Sequence, residues 1–107
     1  MRKLLVMLTL SLLLATPTLA ADTIKIGAFF DLSGRAAFIG TPTKLVAEMI
    51  VDKINAEGGV NGKQLELVIA VTEANPAKTV SLAKKFIHKD KVAAIIGPTL
   101  TDTGMAV

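Results

Sequence analysis

Residues 21–107 predict an open parallel α/β sheet with helices on both faces, on three observations. Strand-like and helix-like segments alternate in the order β-α-β-α-β. The loops between them are short, so each strand is followed by a helical crossover. The second and third strands are apolar on successive residues, as in a parallel sheet covered on both sides.

The first strand runs from Ile24 to Phe30 (IKIGAFF) and gives way to the turn-rich DLSGR. A helix is expected to open at Thr41-Pro42, because Thr can cap and Pro is pre-organised for the first helical position. Ala47, Ile50, Val51 and Ile54 recur at helical spacing and predict its buried stripe. Gly58-Gly59 stops that helix, and Asn61-Gly62 turns the chain into the next strand. Leu65 to Val71 (LELVIAV) is apolar apart from Glu66. Asn75-Pro76 repeats the capping device for a second helix, Ala77 to about Lys89, with Val80, Ala83 and Ile87 expected inside. The third strand, Val92 to Ile96 (VAAII), ends at Gly97-Pro98, and a further helix begins near Thr101 or Asp102.

Met1-Arg2-Lys3, the twelve-residue mostly apolar stretch Leu4 to Ala15, and the small-residue exit TPTLA form the three parts of a secretory leader. Cleavage is expected after Ala20. Twelve helical residues cover only about 18 Å, against a bilayer core of roughly 30 Å. The absence of cysteine excludes disulfides and a lipid anchor at the cleavage site, so a soluble periplasmic protein is expected.

The formal charge is +3, but removing Arg2 and Lys3 leaves ten basic against nine acidic residues. The remaining lysines are scattered or gathered near one helix end, and the chain has no Trp or Tyr. Nucleic-acid binders concentrate charge and add stacking aromatics, so a nucleic-acid partner is not expected.

In open α/β sheets, ligands bind beyond the carboxyl ends of the strands. That rule selects Asp31–Gly40, Thr72–Asn75 and Gly97–Thr103. Catalytic chemistry is poorly supplied there. The one histidine, His88, lies at a helix end beside lysines. No cysteine is present, so neither a zinc site nor a nucleophile-histidine pair is expected. Asp31, Glu73 and Asp102 could form a carboxylate group, or could serve separately as caps and solvated charges. No glycine-rich phosphate cradle follows a strand, so no nucleotide cofactor is expected. Thr99, Thr101 and Thr103 offer hydroxyls where a helix begins, an arrangement that suits a carboxylate or simple helix capping.

Taken together, IKIG with Leu32-Ser33-Gly34 and Gly40, then INAEGGVNGKQLELV (Ile54–Val68), NPAKTV, AKKFI and DKVAAIIGP, make the chain similar to periplasmic solute-binding proteins of the branched-chain amino acid transport family. The resemblance implies part of the N-terminal lobe of a type I periplasmic-binding-protein fold, with no enzymatic activity. It also implies a small-molecule solute (an amino acid or amide) and, at full length, the membrane permease of an ABC importer as partner. Thr101, four residues after Gly97, is then the expected carboxylate contact, with Leu100 and Thr103 beside it. Phe38 and Ile39 stand where the family's first loop shapes the side-chain pocket.

Asp102 replaces a small residue common in the family, and would favour a cationic or amide solute if it faced the cleft. Val71 likewise replaces a frequent Asp. The resemblance further implies that residues 21–107 supply roughly the first quarter of a two-lobed receptor, and would alone bind weakly or not at all. A flavodoxin-like domain shares the element order, and a ligand-sensing ectodomain shares the lobe; the leader argues against the former.

Overall fold

A computed structural model describes residues 22–107; the expected leader, residues 1–20, lies outside the described residues. Strand β1 spans Thr23–Phe30, helix α1 Ala37–Ala56, strand β2 Gln64–Val71 and helix α2 Pro76–Lys85. Strand β3 is Ala94–Ile96, and a single turn, α3, covers Thr101–Gly104. The sheet is parallel throughout, in the order β2-β1-β3. Register runs from Thr23↔Gln64 to Phe30↔Val71 on one side of β1, and from Ile26↔Ala94 to Ala28↔Ile96 on the other.

Successive strand residues point to opposite faces. Val46, Ala47, Ile50, Val51 and Ile54 of α1 share a seam with Ile26, Leu65, Ala94 and Ile96. Leu82, Ala83 and Phe86 pack with Phe29, Val68 and Ala70, the opposite set. Helices therefore cover both faces of the sheet, as right-handed crossovers in the order β2-β1-β3 require.

The core is small and aromatic. Phe29, Phe30 and Phe86 are fully buried, with the Phe29 and Phe86 rings 4.9 Å apart and tilted by 36°. Each such side chain contributes about 1.5–3 kcal/mol on burial. Gly27 lets the Phe86 ring lie directly on β1: a Cβ there would stand 2.8 Å from its Cδ2.

Asn55 fastens the end of α1 to the start of β2. Its Nδ2 donates to the Leu65 carbonyl at 2.9 Å, and its Oδ1 accepts from the Leu65 N–H at 2.7 Å. The expected cap of α2 is present, with Asn75 Oδ1 accepting from the Lys78 N–H at 3.0 Å and Pro76 at the first helical position. Asn75→Ala is expected to cost about 1 kcal/mol, read as a lower urea midpoint at unchanged slope.

Several details differ from the sequence expectation. Helix α1 opens at Ala37 rather than Thr41, so Thr41 is no cap and Pro42 lies inside the helix. A tight 3-10 turn, Gly34–Ala36, leads straight into it; Ala36 is buried, and buried Gly40 sets the first helical turn against the Asp31 backbone. Pro42 forgoes a bond to the carbonyl of exposed Phe38, where water can substitute. Ile50 is exposed although it lines the α1 seam with Ala94 and Ile96.

Beyond the second helix the large apolar side chain that is buried is Phe86 rather than Ile87, because the regular helix ends at Lys85 and a π-helical turn carries Phe86–Asp90. The last strand is Ala94–Ile96, shorter than Val92–Ile96, although the Ala93 N–H still reaches the Lys25 carbonyl at 2.8 Å. Its residues are exposed rather than doubly buried, since among the described residues β3 has one strand neighbour and α1 packs chiefly on β1 and β2.

Candidate functional site

Because all three strands are parallel, Phe30, Val71 and Ile96 end on one edge of the sheet. The loops that follow are not independent. Asp31, immediately after β1, is completely buried. Its Oδ1 accepts the hydroxyl of Thr72 and, at 2.7 Å, the N–H of Ala74. Its Oδ2 is buried without a hydrogen-bond partner among the described residues.

Glu73 and Ala74 both adopt left-handed backbone, with φ of 55° and 53°. That conformation is costly for residues other than glycine, and the Asp31 carboxylate helps to hold it. Glu73 itself turns outward to Lys78, 2.7 Å away.

Helix α1 approaches the same point from the other side. A Cβ on Gly40 would lie 1.8 Å from the Asp31 carbonyl oxygen, so the helix backbone rests directly on the loop. Loop one also meets loop three, through Arg35 Nη2 and Asp102 Oδ2 at 3.6 Å. Since β1 is the central strand, its loop touches each of the other two.

Thr101 opens α3 and is exposed, and its side chain makes no hydrogen bond among the described residues. Leu100, before it, is half-buried in an extended conformation. The Leu100 carbonyl accepts the Gly104 N–H and the Thr103 hydroxyl, both at 2.9 Å. Thr103 is fully buried, and its N–H is accepted by Asp102 Oδ1 at 2.9 Å. Its hydroxyl therefore serves the loop, while that of the exposed Thr101 has no hydrogen-bond partner among the described residues.

Phe38 and Ile39 lie on the first turn of α1 rather than in the preceding loop. Phe38 is 77% exposed, whereas Ile39 is half-buried and its carbonyl accepts the Thr43 hydroxyl at 2.6 Å.

Among the described residues Asp31, Glu73 and Asp102 do not assemble as one carboxylate cluster, and each has a different partner. The Asp31–Thr72 contact went unanticipated, yet a signal existed. Both residues directly follow the last paired residues, Phe30 and Val71, so parallel register sets them side by side. Nothing in the sequence marked Arg35 as the partner of Asp102.

Residues 23–107 match a family model described as periplasmic binding protein. The chain is 39% identical over 83 residues to the leucine-, isoleucine-, valine-, threonine- and alanine-binding protein of Pseudomonas aeruginosa, an alignment covering 78% of this chain and 22% of that protein. It is 34% identical over 97 residues to Leu/Ile/Val-binding protein homolog 7 of Brucella suis, covering 91% and 24% respectively. Among solved structures it is similar to the branched-chain amino acid transporter substrate-binding protein LivJ from Streptococcus pneumoniae in complex with isoleucine. That match has a TM-score of 0.76 and 38% identity over 79% of this chain and 24% of the other.

The chain thus spans about a quarter of the length of the relatives it matches. Those relatives are binding proteins rather than enzymes, and the family name implies a location outside the cytoplasm. By sequence over residues 23–107 and by the architecture of its parallel sheet, the chain belongs to the periplasmic binding protein family.

Proposed function

We propose that residues 21–107 form one wall of an amino-acid-binding cleft in a solute receptor that serves an ABC importer. In this reading residues 1–20 are a cleaved leader that delivers the protein to the periplasm, and 21–107 belong to an N-terminal lobe. The observation that carries the proposal is the convergence of three strand-end loops on one sheet edge, with the exposed Thr101 beside Leu100. The relatives named for leucine, isoleucine and valine supply the class of solute.

Thr101 donates its hydroxyl to the solute carboxylate, Leu100 contributes backbone, and the buried Thr103 shapes the turn that presents them. Phe38 and Ile39 border the side-chain end. One wall alone leaves the solute half in water, so affinity in this chain is millimolar, about −4 kcal/mol.

The test is a titration of the isotopically labelled chain with L-leucine, L-isoleucine and L-valine, followed by amide chemical shifts. Saturable shifts confined to residues 38–39 and 97–103 are expected. Thr101→Ala should weaken them about tenfold, as loss of a hydrogen bond to a charged group does, while Thr101→Ser retains them. Shifts elsewhere, or none at all, would refute the assignment.

A further inference from the structure

Asp102 adjoins Thr101, the residue proposed to hold the solute carboxylate, and an uncompensated negative charge there would oppose that role. It is not uncompensated. Arg35 Nη2 stands 3.6 Å from Asp102 Oδ2, while Asp102 Oδ1 is fixed by the Thr103 N–H. Among the described residues, the other acidic groups on these loops are otherwise engaged. Asp31 is buried under Thr72 and Ala74, and Glu73 faces Lys78.

Arg35 thus brings a positive charge from the loop after β1 to the edge where β3 ends. With the Arg35 and Asp102 side chains 70% and 51% exposed, the contact contributes almost nothing to folding. Its consequence is electrostatic: with the pair intact the rim beside Thr101 is neutral, and without Arg35 it carries one negative charge.

Building on the cleft reading above, we infer that Arg35 sets the charge preference of this site. By cancelling Asp102, it allows a solute carboxylate at Thr101. A cleft with Asp102 alone would select amides or cations. The residue acts on the solute through Asp102 and is a positioning residue rather than a direct ligand.

The experiment compares two probes on the full chain, L-leucine and L-leucinamide, which differ in the carboxylate and therefore in net charge. Apparent affinities are read from the amide shifts of residues 100–103. Arg35→Ala is expected to weaken L-leucine about threefold to tenfold and to strengthen L-leucinamide by a similar factor, the range for one nearby unit charge partly screened by solvent. Asp102→Asn in the Arg35→Ala background should restore the wild-type ratio, and added salt should shrink the effect.

A purely structural role for Arg35 would change both probes in the same direction and would not be rescued by Asp102→Asn; either result overturns the inference. A wild-type chain that responds to neither probe overturns the cleft reading and this inference with it. A response to both that is unchanged by Arg35→Ala overturns the inference alone. Preserved dispersion of the remaining amide signals confirms that each variant is folded.

Discussion

Gly40→Ala is expected to destabilise the protein by about 3 kcal/mol, although the same change inside a helix ordinarily gains roughly 1 kcal/mol. The sign reverses because of where the helix lies. Gly40 is buried on the first turn of α1, and a Cβ there would sit 1.8 Å from the carbonyl oxygen of Asp31 and 2.6 Å from its carbonyl carbon. Both atoms are backbone, so no rotamer change relieves the overlap. The helix must lift from the sheet edge, and the loop that carries Arg35 lifts with it. Urea denaturation should show the loss as a lower midpoint. A midpoint equal to or above the wild-type value would mean that α1 does not rest on this loop.

Asp31→Ala is the second large effect, about 2 kcal/mol. It leaves the buried Thr72 hydroxyl and the Ala74 N–H without their acceptor, at roughly 1–3 kcal/mol for each stranded group. Part of that cost is offset by removing Oδ2, a buried carboxylate oxygen with no partner among the described residues. The Asn variant separates the two contributions, since its amide oxygen can still accept both bonds and its charge is gone. Asp31→Asn is therefore expected within about 1 kcal/mol of wild type. An Asn variant as damaged as the Ala variant would show that the charge itself, rather than the acceptor, holds the loop.

Much of the architecture was legible from local patterns. Apolar runs marked the three strands, Asn75-Pro76 marked the start of α2, and Gly58-Gly59 marked the end of α1; both glycines adopt positive φ. These signals are readable because caps and turns are chemistry between residues close in sequence. The start of α1 was misplaced because Thr41-Pro42 satisfies a local rule that tertiary contact overrides. Ala36 is buried and Gly40 rests on the backbone of Asp31, and the helix starts four residues earlier. The expectation that Ile87 lies inside fails for a similar reason. A π-helical turn changes the angular spacing of residues, and the pocket over Gly27 accommodates the larger ring.

The candidate site divides in the same way. The rule that ligands meet the carboxyl ends of parallel strands selected all three loops from sequence order alone. Thr101, Leu100 and Thr103 were adjacent in the chain, so their grouping required no structure. Which hydroxyl the loop itself uses did require it, because Thr103 Oγ1 turns back to the Leu100 carbonyl and Thr101 does not.

The sequence by itself determined the fold class, the element order and the residues that follow each strand, since hydrophobic period and capping are encoded over a few positions. Only the tertiary structure decided that Asp31 braces Thr72 and Ala74, that Gly40 must lack a side chain, and that Arg35 neutralises Asp102. Each of these joins residues tens of positions apart, or backbone to backbone. The first and third exist because β1 lies between β2 and β3, and that strand order is set by packing across the whole sheet rather than by any local stretch of chain.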